Sequence, residues 1–213
     1  MTRPVQTGRR NSSTTSARFI TVGMTGVAFA GDLFTLFIFW EMMGIASYSL
    51  VSFRKDRAGP IEAGFKYMIM GSVGSVILVF GMAFIYGMAG SLNFAVLANT
   101  IRGAALTPWT IIIFSTLIVG FGVKSAIVPM HTWLPDAHPE APSPISALLS
   151  GIVIETGLYA MIRVLFILYE PELFQLPMAI LAFATMTLGN LLALRQDDLK
   201  RMLAYSSIAQ MGY

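Results

Sequence analysis

The sequence predicts an all-α membrane protein, a bundle of transmembrane helices, on three observations. Hydrophobic residues make up 55% of the 213-residue chain and charged residues only 12%, about half the charged share of a soluble domain. Apolar stretches near or above the ~18 residues of a membrane-crossing helix recur along it. Cations collect in alternate breaks between those stretches, as they do in multi-pass membrane proteins.

The elements follow in order. Residues 1–18 are polar, and their composition predicts a disordered basic tail. Residues 19–213 form a single transmembrane domain, opening with a partial helix at 19–31. The basic leader, short apolar run and Ala28-Phe29-Ala30 also resemble a cleavable secretory signal. That run leads through Gly31-Asp32 almost directly into more apolar sequence, so a shortened membrane helix is the preferred reading. Full spans follow at about 33–53, 65–88, 109–131, 145–168 and 174–194, with a partial helix from about 199. The turn from Arg54 to Pro60 closes the first of these. Gly71, Ser72, Gly74 and Ser75 on the second allow close helix approach in lipid. Residues 89–108 read as a connection, and Leu134 to Pro144 as a Pro-rich link.

Orientation is read from the cations. Arg3, Arg9, Arg10, Arg18, Arg54, Lys55, Arg57, Arg195, Lys200 and Arg201 fall on one side, and only Arg102 on the other. The crowded side is therefore expected to be cytoplasmic, carrying the tail and the 54–60, 132–144 and 195–201 segments of a prokaryotic cytoplasmic-membrane protein. The formal charge of +3 belongs to the tail, because without its four arginines the remainder carries −1. Four arginines in a Ser/Thr-rich leader make no base-stacking basic face, so no nucleic acid is expected as a partner. The chain has no cysteine, which excludes disulfides, iron–sulfur ligation and thiol catalysis within it.

Three ionisable residues stand inside the spans: Glu41, Lys124 and Glu155. A charge at the bilayer centre costs about 2.5–3.5 kcal/mol on insertion scales. Two readings compete. The residues could be buried ion pairs that lock helices, although such pairs stabilise poorly after desolvation. The reading preferred for intramembrane ionisable groups is an ion or proton path. Tyr48 and Ser52 follow Glu41 at i+7 and i+11, placing a polar stripe on one helix face. Glu155 is followed one and two turns later by Tyr159 and Arg163. Pro129 cannot donate to the carbonyl of Ser125, so the helix is expected to break just past Lys124. Broken helices at membrane depth line wet cavities and ion sites; a plain helix end is the alternative. His131 and His138, with Asp136 between them, match no tight ligand spacing, so no metal is expected. Proton exchange suits them better, since histidine titrates near neutrality.

Three stretches carry a family resemblance: GDLFTLFIFWEMMGIASYSLV, GFGVKSAIVPMHTWLPDAHPEAPSPISALLSG and DLKRMLAYSSIAQMGY. They resemble, in order and spacing, the antiporter-like membrane subunits of respiratory complex I, membrane-bound hydrogenases and multisubunit cation/proton antiporters. The resemblance covers nearly everything after residue 20. It implies one five-helix repeat of the antiporter-like fold, with the broken helix near Lys124–Pro129. It implies that Glu41 and Lys124 form the charge pair that drives translocation, with Glu155 the next relay. By the same resemblance His131 and His138 belong to proton uptake on the cytoplasmic side, and Lys200 is structural.

The chain departs from the family pattern twice. Relatives commonly carry lysine or histidine where GIVIETGLYAMIR has Glu155, which reverses the local charge. The family also resembles two inverted five-helix repeats, and this chain holds most of one. It is therefore expected to be a fragment or split gene product that does not translocate ions alone. The expected function is proton translocation, with sodium the alternative ion, as a subunit of a redox-driven complex such as an NADH:quinone oxidoreductase or membrane-bound hydrogenase. The alternatives are a truncated non-pumping scaffold and a subunit of a multisubunit sodium/proton antiporter. Expected partners are lipid and other membrane subunits of that assembly. No cofactor is expected in this chain, so electron transfer falls to partner subunits.

Overall fold

The computed structural model describes the backbone of residues 3–102 and 107–213, and side chains from residue 14 onward apart from 103–106. Among the described residues the chain is helical, with no strand; one isolated backbone bridge joins Asp32 to Asn93. Ten helices follow in order: α1 (Arg3–Phe29), α2 (Leu33–Val51), α3 (Ala58–Ala89), α4 (Phe94–Thr100), α5 (Pro108–Lys124), α6 (Leu134–Glu140), α7 (Ser143–Leu148), α8 (Ile154–Leu168), α9 (Pro171–Ala193) and α10 (Leu199–Gly212). A π-turn over Leu149–Val153 joins α7 to α8.

Among the described residues, four segments are long and apolar enough to cross a membrane: Leu33–Val51, Ala58–Ala89, Ser143–Leu168 and Pro171–Ala193. The expected third span, 109–131, is the one that falls short. Its helix, α5, has 17 residues and ends at Lys124, at the break the sequence foretells. Large apolar side chains such as Ile38, Phe65, Val76, Phe183 and Leu191 stand exposed on the outside. Such an exterior belongs in lipid or against other membrane helices, and the chain is an integral membrane protein.

Several boundaries differ from the sequence reading. Helix α1 starts at Arg3, so it takes in residues assigned to a disordered tail as well as the partial helix. No proline interrupts the chain between Pro4 and Pro60, and nothing local stops a helix continuing toward the terminus. Helix α3 begins at Ala58, before Pro60, because a proline in the first turn forfeits no intrahelical bond. Two short helices lie in connections read as irregular. Helix α4 is opened by Asn93, whose side chain accepts from the amide of Ala95. Helix α6 has Pro135 in its first turn and Pro139 in its last, where a missing N–H removes at most one bond.

Packing is antiparallel and mostly pairwise. Helix α1 lies along α2, α3 along α5, and α9 along α10, with α8 against α5. Asp32 caps α2, accepting from the Thr35 amide at 2.7 Å and from its hydroxyl at 2.7 Å. Arg163 of α8 closes the other side of that corner. Its guanidinium donates to the carbonyls of Val27, Ala28 and Ala30 at 3.2, 2.8 and 2.6 Å and sits 5.0 Å from the centre of the Phe94 ring. Carbonyls at the end of α1 have no intrahelical donor, and a cation there satisfies them and complements the helix dipole. On that same side Arg102 makes a two-point pair with Glu170.

Candidate functional site

The site forms where α5 stops. Beyond Lys124 the backbone turns at Ala126, which adopts φ 53°, a left-handed conformation that a residue with a Cβ seldom takes. The break thus begins before Pro129, which lies exposed further along. Helix ends leave carbonyls without donors, and here they are answered individually. The Ser125 hydroxyl donates to Phe121 at 2.9 Å, and the Ile127 amide donates to the Gly122 carbonyl at 3.1 Å. The buried Trp133 indole donates to the Val123 carbonyl at 2.7 Å. The amide of Val128 donates to the Thr185 hydroxyl of α9 at 3.1 Å. Gly157 of α8 packs directly on Lys124 and Ser125.

Lys124 is 2% exposed, and its Nζ has no hydrogen-bond partner in the described chain. It lies against the Trp40–Gly44–Tyr48 face of α2, 5.2 Å from the centre of the Trp40 ring and 5.4 Å from that of Tyr48. An aromatic face attracts a cation, by up to about 2 kcal/mol when both are desolvated. Tyr48 meets Tyr67 edge to face at 4.6 Å, and Tyr67 stacks on Trp133 at 3.8 Å. An aromatic column therefore links the seat of Lys124 to the residue that closes the broken helix.

Glu41 stands beside this seat without contacting it. Its carboxylate accepts a hydrogen bond from Ser75 of α3 and opens into a groove of about 320 Å³ between α2 and α3, lined also by Ser72 and Val79. No hydrogen bond joins Glu41 to Lys124. The i, i+7 spacing brings Tyr48 near Lys124, while Ser52 donates back to the Tyr48 carbonyl at 3.0 Å. Glu155 is exposed on the outer face of α8, turned away from Gly157 and the break, so the structure does not bring it to Lys124.

The two histidines sit on the far side of the break. His138 is 3% exposed; its Nδ1 lies 2.5 Å from the Ser146 hydroxyl, and its Nε2 has no partner in the described chain. Burial, with the nearby Lys200 cation, pushes its pKa down to about 4. His131 has an unpartnered buried Nδ1 and lies 6.4 Å from the Tyr205 ring. Around them is an ionic rim. Asp136 pairs with Lys66 and with Arg201, each at 3.2 Å, and Lys200 donates to the carbonyl of Ala141 at 2.8 Å. No group of three or more acidic or histidine side chains able to hold a metal occurs among the described residues.

The sequence reading missed Trp40, Gly44, Tyr67 and Trp133. The i, i+4, i+8 spacing of Trp40, Gly44 and Tyr48 was a visible signal, since a glycine between two aromatics on one face leaves room for a side chain from elsewhere.

Residues 30–213 match the family described as NADH:quinone oxidoreductase/Mrp antiporter, TM. The chain is 38% identical over 200 residues to NADH-quinone oxidoreductase subunit N of Myxococcus xanthus, covering 92% of this chain and 38% of that relative. Among solved structures it is similar to a chain of the membrane-bound sulfane sulfur reductase, an archaeal respiratory membrane complex, with 36% identity and a TM-score of 0.83 over 91% of this chain and 40% of that one. It is also similar to a chain of the Mrp complex from Dietzia sp. DQ12-45-1b, with 29% identity and a TM-score of 0.84 over 92% of this chain and 37% of that one. The chain thus spans about two fifths of the length of the relatives it matches.

Proposed function

The chain belongs to the NADH:quinone oxidoreductase/Mrp antiporter transmembrane family, and on that premise we propose that it moves protons as an antiporter-like membrane subunit of a redox-driven complex. The observation that carries this reading is Lys124: a buried lysine whose Nζ has no hydrogen-bond partner among the described residues, at the end of a broken helix, one helix face away from the half-buried Glu41. A lysine kept only for packing would be expected to pair with an acid. One that must gain and lose a proton needs a seat that is not saturated.

Glu41 and Lys124 are the working pair. Their contact would be worth about 4 kcal/mol at ~4 Å and an effective dielectric of 20. A small helix shift that closes the pair holds the proton on Lys124, and one that opens it releases the proton. His131 and His138 stand at the cytoplasmic mouth, and Pro129 keeps the segment after the break from rejoining the helix. Glu155 is the next relay. Its exposed carboxyl suits a hand-off to a neighbouring segment or subunit. The ionic rim of Lys66, Asp136, Lys200 and Arg201 supports a cytoplasmic assignment for that face, in a prokaryotic cytoplasmic membrane.

The likeness to the Mrp complex favours a second reading, a subunit of a multisubunit sodium/proton antiporter. Ion replacement in vesicles carrying the assembled complex separates the two. Proton uptake that persists when choline replaces sodium supports the redox-driven pump, and strict dependence on sodium supports the antiporter. In the same vesicles Glu41→Ala is expected to remove this subunit's share of the uptake with assembly intact. Normal uptake in that variant removes Glu41 from the path, and normal uptake in Glu155→Gln limits Glu155 to packing.

A further inference from the structure

The short helix α6 is held by charge from two sides. Its Asp136 carboxylate lies 3.2 Å from Lys66 of α3 and 3.2 Å from Arg201 of α10, so cations on two separate helices share it. Lys200 of α10 donates to the carbonyls of Pro139 and Ala141 at 3.4 and 2.8 Å, closing the C-terminal end of α6. On the other flank Glu140 packs on the first turn of α3, where a helix N-terminus favours negative charge. A methyl group added at Gly59 would lie 2.7 Å from its carboxylate. Helix α6 packs on both α3 and α10, while those two helices scarcely touch each other. Helix α9 packs along α10 and reaches past the break through Thr185, which accepts from the Val128 amide. The α9–α10 pair is therefore joined to the remainder largely through α6 and the segment just beyond Lys124.

What α6 carries bears on Lys124. Trp133, immediately before it, donates to the carbonyl of Val123 and stacks on Tyr67 of α3. His138, two residues beyond Asp136, is buried against Ser146. Residues two apart on a helix do not share a face, so α6 presents its clamp at the rim and its histidine to the interior. An isolated exposed ion pair holds a structure only weakly. A carboxylate shared between two helices, beside a helix end closed by a third cation, fixes one element against two others. We propose that Asp136 is a positioning residue: by pairing at once with Lys66 and Arg201 it clamps α6 between α3 and α10, so that movement of the α9–α10 pair is passed through Trp133 to the helix end at Lys124. The inference rests on the proton-translocation reading of Lys124 and supplies the element that couples it to the rest of the bundle. Lys66 also pairs with Glu62 of its own helix at 2.9 Å, an acid that keeps it satisfied when α6 moves away. The clamp is open to water and salt, because Asp136 is 33% exposed and borders a crevice of about 130 Å³ with Glu62, Lys66, Glu140 and Arg201.

The deciding variant is Asp136→Asn, which keeps the shape of the side chain and removes its charge. In the assembled complex, hydrogen exchange at the Ala137 and Ala141 amides, both bonded along α6, reads the clamp. At ~0.01 M salt these amides are expected to exchange about fivefold faster than in wild type. At ~1 M salt wild type should approach the variant, because the screening length falls from about 30 to about 3 Å. In vesicles, protons taken up per electron should fall toward the Lys124→Ala value, and Asp136→Glu, which restores the charge, should recover both readings. Lys66→Gln and Arg201→Gln should each give part of the change and add nothing to Asp136→Asn. Wild-type exchange at low salt in Asp136→Asn overturns the clamp, and faster exchange with the wild-type proton ratio overturns its positioning role. If Asp136→Asn does not assemble, Arg201→Gln decides on the same two readings, and wild-type values there overturn the proposal. Normal pumping by Lys124→Ala instead overturns the translocation reading, on which the exchange measurement does not depend.

Discussion

Replacing Trp133 by phenylalanine tests how the broken helix is held. Trp133 is 1% exposed, donates to the Val123 carbonyl at 2.7 Å and stacks on Tyr67 at 3.8 Å. Phenylalanine keeps a ring for the stack but removes the N–H. The Val123 carbonyl is then left with the Ala126 amide alone, at 3.3 Å. Loss of the indole bond is worth about 0.5–1.5 kcal/mol. The smaller ring also forfeits buried apolar surface, at about 0.8 kcal/mol per methylene-sized group. Together these give about 2–3 kcal/mol, below the ~3–5 kcal/mol of a tryptophan-to-alanine truncation. For a chain of this size that corresponds to a fall of roughly 5–10 °C in Tm. Differential scanning of the detergent-solubilised protein gives the Tm, and hydrogen exchange at Ala126 and Ile127 reports the break directly. A Tm within ~1 °C of wild type, with unchanged exchange at those amides, would refute the idea that Trp133 closes the helix end.

Two further perturbations follow from the geometry. His138 is held neutral by burial, its pKa pushed down to about 4 from 6.5, so between those values the unfolded chain binds a proton that the folded chain does not. Stability is therefore fully present above about pH 6.5 and declines as pH falls toward 4, by about 3 kcal/mol in all; unfolding of His138→Gln across that range should lack this slope. Arg163→Gln removes the guanidinium that caps α1 and should cost about 2–4 kcal/mol, from charged hydrogen bonds of about 1.5–3 kcal/mol each that are partly replaced by water. Faster hydrogen exchange confined to the end of α1 and residues 30–33 would bear this out, and unchanged exchange there would count against it.

Much of the fold was legible in the sequence because lipid imposes a single simple rule, that apolar runs become helices. The break after Lys124 was legible too, but for an incomplete reason. Pro129 forbids one bond, whereas the turn itself occurs at Ala126, where no residue type advertises a left-handed backbone. Helices α4 and α6 were hidden because prolines and an asparagine cap look like turn chemistry until their first-turn positions are known. Among site residues, Glu41 and Lys124 announced themselves as charges in apolar runs. Trp40, Gly44, Tyr67 and Trp133 did not, since aromatics and glycines are ordinary in membrane helices and only tertiary packing makes them a seat for an ammonium. Glu155 carries the same sequence signal as Glu41, yet it faces outward. Period alone places a residue on a helix face and does not say which face the bundle covers.

The central claim is that protons pass through Lys124, and the ratio of protons taken up to electrons transferred tests it most directly. In vesicles holding the assembled complex, Lys124→Ala is expected to keep its assembly and to lower that ratio by the share this subunit contributes, with Lys124→Arg lowering it as well because a guanidinium does not release its proton. A Lys124→Ala complex that assembles fully and returns the wild-type ratio would contradict the account.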